Sequence, residues 1–181
     1  MSRTFFTADH HWGHEGIIAQ CDRPFSSVAD MDEAMIGNWN AIVRPNDDVW
    51  YVGDFAHECE PKRMRWIFDQ LHGRKHLIIG NHDDENTFKL PWAAPPRHMA
   101  RVSVDGDRLV LNHYCMRVWP ELRRGAIHLH GHSHGRLRGT SRCLDVGVDS
   151  WKFMPVDLYQ IRERLAELPA LDSEYLEAEI E

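Results

Sequence analysis

The most informative segment of the sequence is Thr4-Phe5-Phe6-Thr7-Ala8-Asp9-His10-His11, near the amino end. The residues over Thr4–Ala8 are apolar or favour β-structure, and they predict a short buried strand. Asp9 and His11 follow where that strand ends. A single aspartate after a strand is most often a turn residue, so this segment indicates a functional site only if other strands end in the same manner.

Four further predicted strands do end in polar residues of this kind. These strands are predicted at Val49–Val52, His76–Ile79, Arg108–Leu111 and Ala126–Leu129. They are followed in turn by Gly53-Asp54, Gly80-Asn81-His82-Asp83, Asn112-His113 and His130-Gly131-His132-Ser133-His134. Ligands in open α/β sheets collect beyond the carboxyl ends of the strands, so these groups are expected to meet in one site.

Two more strands and three helices complete the predicted pattern. The strands are Arg101–Val104 and Cys143–Val146. Apolar residues at steps of three and four predict helices over Val28–Ile42, Met64–Leu71 and Leu158–Leu168. Ser27 and Asp30 are spaced as a capping box at the start of the first of these helices. The length of 181 residues favours one domain, residues 1–181.

Composition narrows the class of protein. No apolar run approaches the roughly 20 residues that a membrane-spanning helix needs, and the apolar stretch at the amino end is short for a signal peptide. We therefore expect a cytoplasmic protein that does not enter the membrane. The four cysteines (Cys21, Cys59, Cys115 and Cys143) form no CxxC pair, and we expect free, buried thiols.

The charge is distributed unevenly along the chain. The net charge is −7, of which the segment from Glu163 onward carries −6 and residues 1–162 carry −1. The acidic segment, from about residue 163, predicts a solvated helix face or tail. The rest of the chain has no strong basic bias, so the sequence gives no strong signal for nucleic-acid binding. The oligomeric state stays open.

The polar residues at the strand ends form a set of metal ligands. Thirteen histidines are present, and histidine is the commonest protein ligand for metals. The set is Asp9, His11, Asp54, Asn81, His113, His132 and His134. Carboxylate oxygen, amide oxygen and imidazole nitrogen without thiolate suit manganese, iron, zinc or cobalt. Seven donors exceed the roughly four of a tetrahedral zinc site, so the set fits two metals that share a carboxylate.

The ordered blocks resemble a known superfamily. They are Asp9-x-His11, Gly53-Asp54, Gly80-Asn81-His82-Asp83, His113 and Gly131-His132-Ser133-His134. In this order they are similar to the signature blocks of the calcineurin-like metallophosphoesterases. The short chain and the Asp145-Val146-Gly147-Val148-Asp149 segment resemble the small bacterial and phage members. The resemblance implies an α/β fold, α+β in some schemes, arranged as a four-layer αββα sandwich.

The resemblance also implies which residues hold each metal ion. One divalent ion would be held by Asp9, His11, Asp54 and His134. A second would be held by Asp54, Asn81, His113 and His132, with Asp54 bridging the two. Manganese is the first expectation for both positions, with iron, zinc, cobalt or nickel as alternatives.

The implied reaction is hydrolysis of a phosphate ester. A metal-bridging hydroxide would attack phosphorus, since metals lower the pKa of bound water. His82 would stabilise the transition state or protonate the leaving oxygen, and Asp83 would orient His82. A phosphodiester is favoured over a phosphomonoester because many small relatives act on diesters. The expected substrate is a phosphate ester, with a nucleotide as one option.

Three residues are weaker candidates for binding substrate. His57 follows Asp54 by three residues, as in the superfamily's double-strand-break repair nucleases, where a histidine there faces substrate. Arg23 is expected either to contact phosphate or to form an ordinary salt bridge. His14 is expected to lie near the first ligands. His128 and His130, in contrast, are expected to be structural.

A non-catalytic scaffold is the contrasting hypothesis. The superfamily includes a vesicle-coat protein that keeps the fold without catalytic groups. Such a protein is expected to have a broken ligand set and no histidine after the Gly-Asn pair. This chain keeps all the ligand positions and His82, which favours an enzyme. One departure is Cys115, which stands where many relatives have proline.

Overall fold

A computed structural model describes residues 2–178. Its first sheet contains the strand that was predicted at Thr4–Ala8. Strands β1 (Thr4–Thr7), β2 (Asp48–Val52) and β3 (Arg74–Ile78) run parallel to one another. The order across the sheet is β3, β2, β1 and then β8 (Val156–Asp157), which is antiparallel to β1. The carboxyl ends of β1, β2 and β3 therefore lie at the same edge.

The second sheet contains the other four strands. They are β4 (Met99–Val104), β5 (Asp107–Asn112), β6 (Ile127–His130) and β7 (Cys143–Asp145), in that order across the sheet. Strand β4 is antiparallel to β5, whereas β5, β6 and β7 are parallel. The ends of β5 and β6 thus share one edge, as the ends of β1 to β3 do.

Helices cover the sheets. They are α1 (Gly16–Gln20), α2 (Val28–Ile42), α3 (Pro61–Gln70), α4 (Glu85–Phe88), α5 (Leu158–Glu167) and α6 (Ser173–Ala178). Two 3-10 turns, Leu122–Arg124 and Val148–Ser150, lie between strands. Among the described residues, no helix has the length and apolar character to cross a bilayer.

Alternation along the strands separates the core into layers. Phe5 packs with residues of α2 and α3, whereas the next residue, Phe6, packs between the two sheets. On the second sheet Leu111 faces the same inter-sheet core, while Val110 points outward to a cluster that includes Tyr175 of α6. Successive strand side chains point to opposite faces, so each sheet buries both faces. The predicted four-layer αββα order is confirmed.

The predicted elements are present with shifted ends. All seven predicted strands occur within two residues of their predicted bounds, while β8, α1 and α4 were not predicted. Ser27 does cap α2, because its side chain accepts the Asp30 N–H. The Asp30 carboxylate accepts from Ser26 and does not complete a capping box. That box occurs instead at α5, between Asp157 and Gln160.

The structure also bears on the expectations for the cysteines and for the acidic segment. All four cysteines are free, but only Cys143 is buried: Cys21 and Cys59 are partly exposed, and Cys115 is exposed in the loop after β5, with its Sγ 3.6 Å from that of Cys143. The acidic segment is only partly described. It contributes to α5 and α6, and its last acidic residues, Glu179 and Glu181, lie outside the described residues.

Candidate metal centre

The five strand ends meet, as the sequence pattern predicted. Backbone hydrogen bonds join the loops that follow β1 and β2: the Asp9 N–H donates to Gly53 O at 3.0 Å, and the His11 N–H donates to Asp54 O at 3.3 Å. The loops after β5 and β6 are joined by Gly131 N–H and His113 O at 3.0 Å. A side-chain bond connects the two sheets, since Asp9 Oδ2 accepts from the His132 N–H at 2.9 Å.

The candidate ligands separate into two groups. Ligand atoms of Asp9, His11 and His134 lie within 4.8 Å of one another, and so do those of Asp54, His113 and His132. Oδ2 of Asp54 lies 3.6 Å from Nε2 of His11 and 3.3 Å from Nε2 of His113. Asp54 therefore stands between the groups.

Asn81 belongs with the second group. Its Oδ1 is 2.9 Å from Nε2 of His113. With Asn81 added and Asp54 facing both groups, the geometry divides the seven residues in the same way as the resemblance does.

The backbone at these positions is unusual. Five of the seven residues have a positive φ: Asp9 (59°), His11 (54°), Asp54 (55°), His132 (66°) and His134 (48°). Left-handed backbone is uncommon in residues other than glycine, and it costs about 1–3 kcal/mol at each site. Such conformations cluster where a chain positions side chains for binding or catalysis, so the backbone makes this edge a candidate functional site.

Two glycines let the loops approach the ligands. A Cβ at Gly80 would collide with the side chain and backbone of Asp54, and a Cβ at Gly53 would collide with the His113 ring. Gly53 also has a φ of 95°. Both positions follow strands of the first sheet and require glycine for space, and Gly53 also requires it for backbone conformation.

Hydrogen bonds fix the orientation of two histidine rings. Nδ1 of His113 is 2.9 Å from Val52 O, and Nδ1 of His134 is 2.7 Å from Oδ2 of Asp149. In each ring Nδ1–H donates, so Nε2 is the nitrogen that could bind a metal once it has lost its proton. The ligand pattern did not identify Asp149 as a contact of a candidate ligand, although the Asp145–Asp149 segment was singled out. A carboxylate behind a metal-binding histidine is a common supporting contact.

Several polar atoms at the centre lack a partner. Among the described residues, Asp9 Oδ1 and both ring nitrogens of His11 are buried without a hydrogen bond. Buried polar atoms are nearly always satisfied, because an unpaired one costs about 1–3 kcal/mol. A divalent ion held by Asp9, His11 and His134 would satisfy Asp9 Oδ1 and one of the two ring nitrogens of His11. The donor set and its unpaired atoms therefore fit a metal.

The charges of the acidic ligands depend on this arrangement. Burial raises the pKa of Asp9 to about 7. Burial also acts to raise the pKa of Asp54, but contact with His113 outweighs it and lowers that pKa to about 2. The pKa of His113 is correspondingly raised to about 9: burial opposes the change, and Asp54 more than compensates. Without metal, the site therefore retains protons near neutral pH.

His82 lies at the rim of this centre. Its backbone N–H donates to Asp54 Oδ1 at 2.8 Å, so the residue is fixed relative to the carboxylate between the two groups. Its half-buried ring lies 5.2 Å from the His11 ring and 4.1 Å from the His57 ring, between centroids. Burial lowers the pKa of His82. The ring is neutral near neutral pH and accessible to a bound substrate.

Asp83 does not orient His82, and that expectation was wrong. The Asp83 carboxylate accepts three backbone N–H groups, from Asp54 at 3.0 Å, Phe55 at 2.9 Å and Gly80 at 2.8 Å. Its side chain points inward from the turn and connects the loops after β2 and β3. It supports Asp54 and leaves the imidazole of His82 without a carboxylate partner among the described contacts.

Arg23 does not contact phosphate; the salt-bridge alternative is the one that the structure shows. Its side chain is 0% exposed, and its Nε and Nη2 donate to the two oxygens of Asp149, both at 2.8 Å. The other donors reach the carbonyls of His10 and Asp9. Because these bonds use the guanidinium fully, Arg23 holds the loop after β1 against Asp149, behind the candidate ligands.

The remaining histidines separate by environment. His14 and His57 lie beside the centre, with ring centroids 4.6 Å apart. His128 is buried, accepts the Met116 N–H at Nε2, and has Nδ1 3.0 Å from Val110 O. His130 is buried, with Nδ1 2.9 Å from Gly131 O. These contacts agree with a structural role for His128 and His130.

Several known proteins are similar to this chain in sequence. No protein-family profile matches the chain. The uncharacterized protein MJ1445 of Methanocaldococcus jannaschii is 38% identical over 167 residues, which cover 87% of this chain and 88% of that protein. The gene 66 protein of mycobacteriophage D29 is 28% identical over 93% of this chain and 98% of its own.

Two solved structures are also similar. A protein of unknown function from Aquifex aeolicus, AQ665, aligns with a TM-score of 0.71 and 21% identity over 91% of this chain and all of its own, which shows a shared fold. An archaeal phosphodiesterase aligns at a TM-score of 0.49 and 16% identity, covering 80% of this chain and 82% of its own. At 38% identity over 87% of its length, the chain belongs to one family with MJ1445, and its ordered motifs resemble those of the calcineurin-like metallophosphoesterases.

Proposed function

We propose that the protein is a two-metal phosphoesterase whose preferred substrate is a phosphodiester. The observation that carries this proposal is the pair of ligand groups on either side of Asp54. In this proposal Asp9, His11, Asp54 and His134 hold one divalent ion, and Asp54, Asn81, His113 and His132 hold the other. Manganese is our first candidate, because the donors are oxygen and imidazole nitrogen without thiolate.

Bound metal ions would supply Lewis acidity at phosphorus and water of lowered pKa. The chain supplies position. Hydrogen bonds from His113 to Val52 and from His134 to Asp149 aim both Nε2 atoms into the site. Asp54 is held at Oδ1 by the His82 N–H, which leaves Oδ2 facing both groups.

His82 is the proposed catalytic residue. Its ring lies beside the ligands and is partly exposed, so it can reach a phosphate oxygen. Because its pKa is lowered by burial, the neutral ring predominates near pH 7, and its N–H would hydrogen-bond the leaving oxygen as that oxygen gains charge. Asp83 acts in this proposal through Asp54 and Gly80 and not through His82.

Hydrolysis of bis-p-nitrophenyl phosphate and p-nitrophenyl phosphate tests the proposal. Chelated protein would be assayed with manganese, zinc or magnesium restored. We expect turnover only with metal, faster on the diester, and lost in Asp54→Asn and His82→Ala. Bound metal should be lost only in Asp54→Asn, since His82 is not a proposed ligand.

A matched histidine variant controls for nonspecific effects. His72→Ala replaces an exposed histidine just before β3, at the opposite end of the strand from the site, and should retain activity. Absence of both metal binding and turnover in the wild-type protein would favour the scaffold hypothesis. Turnover that resists chelation would overturn the metal-dependent mechanism.

A further inference from the structure

A third cluster of metal-ligating side chains lies beside the two groups already described. It consists of His14, His57 and Glu58, whose ligand atoms lie within 4.8 Å of one another. Nε2 of His14 is 3.8 Å from Oε2 of Glu58, and the rings of His14 and His57 meet edge to face. None of the three belongs to the seven proposed ligands.

The backbone holds this cluster in place. The Trp12 N–H donates to Phe55 O at 3.0 Å, and Trp12 pairs with Ala56 as a β-bridge, so the loops after β1 and β2 run side by side. Gly13 packs so closely on Cys59 that a Cβ there would collide with the cysteine side chain. The cluster is therefore formed by two loops in fixed register.

His14 has the features of a ligand rather than of a surface residue. It is only 8% exposed, and its buried Nδ1 has no hydrogen-bond partner. Its Nε2 lies 3.8 Å from the Glu58 carboxylate, too far for a hydrogen bond, and the rings of His57 and His11 lie 4.6 and 5.9 Å away. An imidazole in this position gains a strong polar interaction only if a further group binds within the cluster.

The sign of the charge distinguishes a cation from a directly bound phosphate. Glu58 places a carboxylate 3.8 Å from the His14 ring, and that carboxylate would repel the oxygens of a phosphate. Two imidazoles and one carboxylate, with further positions open, are a donor set typical of catalytic zinc. The cluster thus favours a divalent cation.

Its position suggests a use for that cation. The His57 ring lies 4.1 Å from the His82 ring, and the His14 and His57 rings lie 5.9 and 6.4 Å from the ring of His11. Arg23, the expected phosphate contact, is buried in its ion pair with Asp149. A cation in this cluster would supply positive charge next to His82 on the substrate side.

We propose that His14, His57 and Glu58 bind a third divalent cation, of the zinc class, which contacts the phosphate group of the substrate. The substrate role rests on the proposed phosphoesterase function, whereas cation binding by the cluster does not. His14 and His57 would then act on substrate through the cation.

Equilibrium dialysis of the chelated full-length protein against zinc, followed by metal analysis, tests the proposal. We expect Glu58→Gln and His57→Ala each to bind one zinc fewer per chain than the wild-type protein. Glu58 is exposed and Glu58→Gln conserves its shape, so the fold should survive, which circular dichroism would check. Glu167→Gln, at an exposed position at the end of α5, should bind as much zinc as wild type.

Steady-state kinetics give a second test of the third cation site. In the zinc-loaded protein, Glu58→Gln should raise KM for the diester more than it lowers kcat, because the lost cation binds phosphate in the ground state. Equal zinc content in wild type and Glu58→Gln would overturn the third site and leave the two-metal proposal intact. Failure of the two-metal proposal would appear differently, as unchanged zinc binding in Asp54→Asn.

Discussion

At the scale of single residues, several side chains support the site without being candidate ligands. Asp83 holds three backbone N–H groups of neighbouring loops, and Asp149 holds both Arg23 and His134. Each is a buried carboxylate that contributes by fixing other groups. Such residues influence metal binding indirectly, through the positions of ligands.

Replacing Asp149 should affect both metal binding and stability. Asp149→Asn removes the charge that pairs with buried Arg23 and that orients His134. Loss of one partner of a buried pair costs about 3–5 kcal/mol, and loss of a contact behind a ligand lowers metal affinity by about tenfold to hundredfold. Urea unfolding and manganese titration would measure the two effects.

A surface carboxylate is the control for that experiment. Asp69 pairs with Arg65 one helical turn away on α3, with both side chains about half exposed. Asp69→Asn should cost less than about 1 kcal/mol and leave metal affinity unchanged. Equal effects of the two substitutions would contradict the assigned role of Asp149.

Replacing Asp83 tests whether its carboxylate supports the neighbouring loops or orients His82. Asp83→Asn replaces an acceptor of backbone N–H groups by an amide that can satisfy only part of them. We expect the free energy of unfolding to fall by about 1–3 kcal/mol, with metal affinity falling in parallel. Loss of turnover with unchanged stability and metal affinity would instead support orientation of His82 by Asp83.

At the scale of elements, turns connect the strands of the first sheet at the end opposite the site. Asp47 precedes β2, and its carboxylate accepts the N–H groups of Arg3 and Arg44, both at 2.8 Å. The first bond joins the residue before β1 to the turn before β2. One carboxylate therefore helps to set the register of the two central strands.

The contribution of Asp47 should depend on pH. Burial acts to raise the pKa of Asp47, but the two backbone N–H groups outweigh it and lower the pKa below its usual value. A carboxylate with a lowered folded-state pKa stabilises the fold above the unfolded pKa of about 4, and this contribution is lost as pH falls through the folded value. The stability difference between wild type and Asp47→Asn should therefore shrink as the pH falls below the unfolded pKa of about 4. Urea unfolding at several pH values measures it, and a constant difference would contradict the prediction.

At the scale of the whole molecule, the candidate centre connects the two sheets. Asp9, His11, Asp54 and Asn81 follow strands of the first sheet, whereas His113, His132 and His134 follow strands of the second. Ions held by both sets would bind the folded chain and not the unfolded one. Metal binding and global stability should therefore be linked.

Metal should stabilise the fold more at pH 8 than at pH 6. A ligand at a hundred times its Kd adds about 2.7 kcal/mol. Asp9, with a pKa of about 7, and His113, with a pKa of about 9, must lose protons to bind metal, so acid competes with metal. Calorimetric melting with and without manganese should show a smaller rise in Tm at the lower pH. Asp54→Asn should show little rise at either pH.

The sequence by itself determined the ligand types, their order and the strands that carry them. This was possible because each motif is local: an apolar run predicts a strand, and the residues after it must lie at its end. The seven candidate ligands were named in this way, and the structure brings them together. Their role as metal ligands stays a prediction.

The contacts of the supporting side chains follow only from the tertiary structure. Arg23 and Asp149 are 126 residues apart, and Asp83 reaches backbone groups 28 and 29 residues away. Glu58 likewise becomes a candidate ligand only because two loops place it beside His14. The local sequence does not determine whether a side chain at a turn faces substrate, solvent or backbone. The choice among them is made by burial and by the satisfaction of polar groups, which depend on segments that are distant in sequence and adjacent in space.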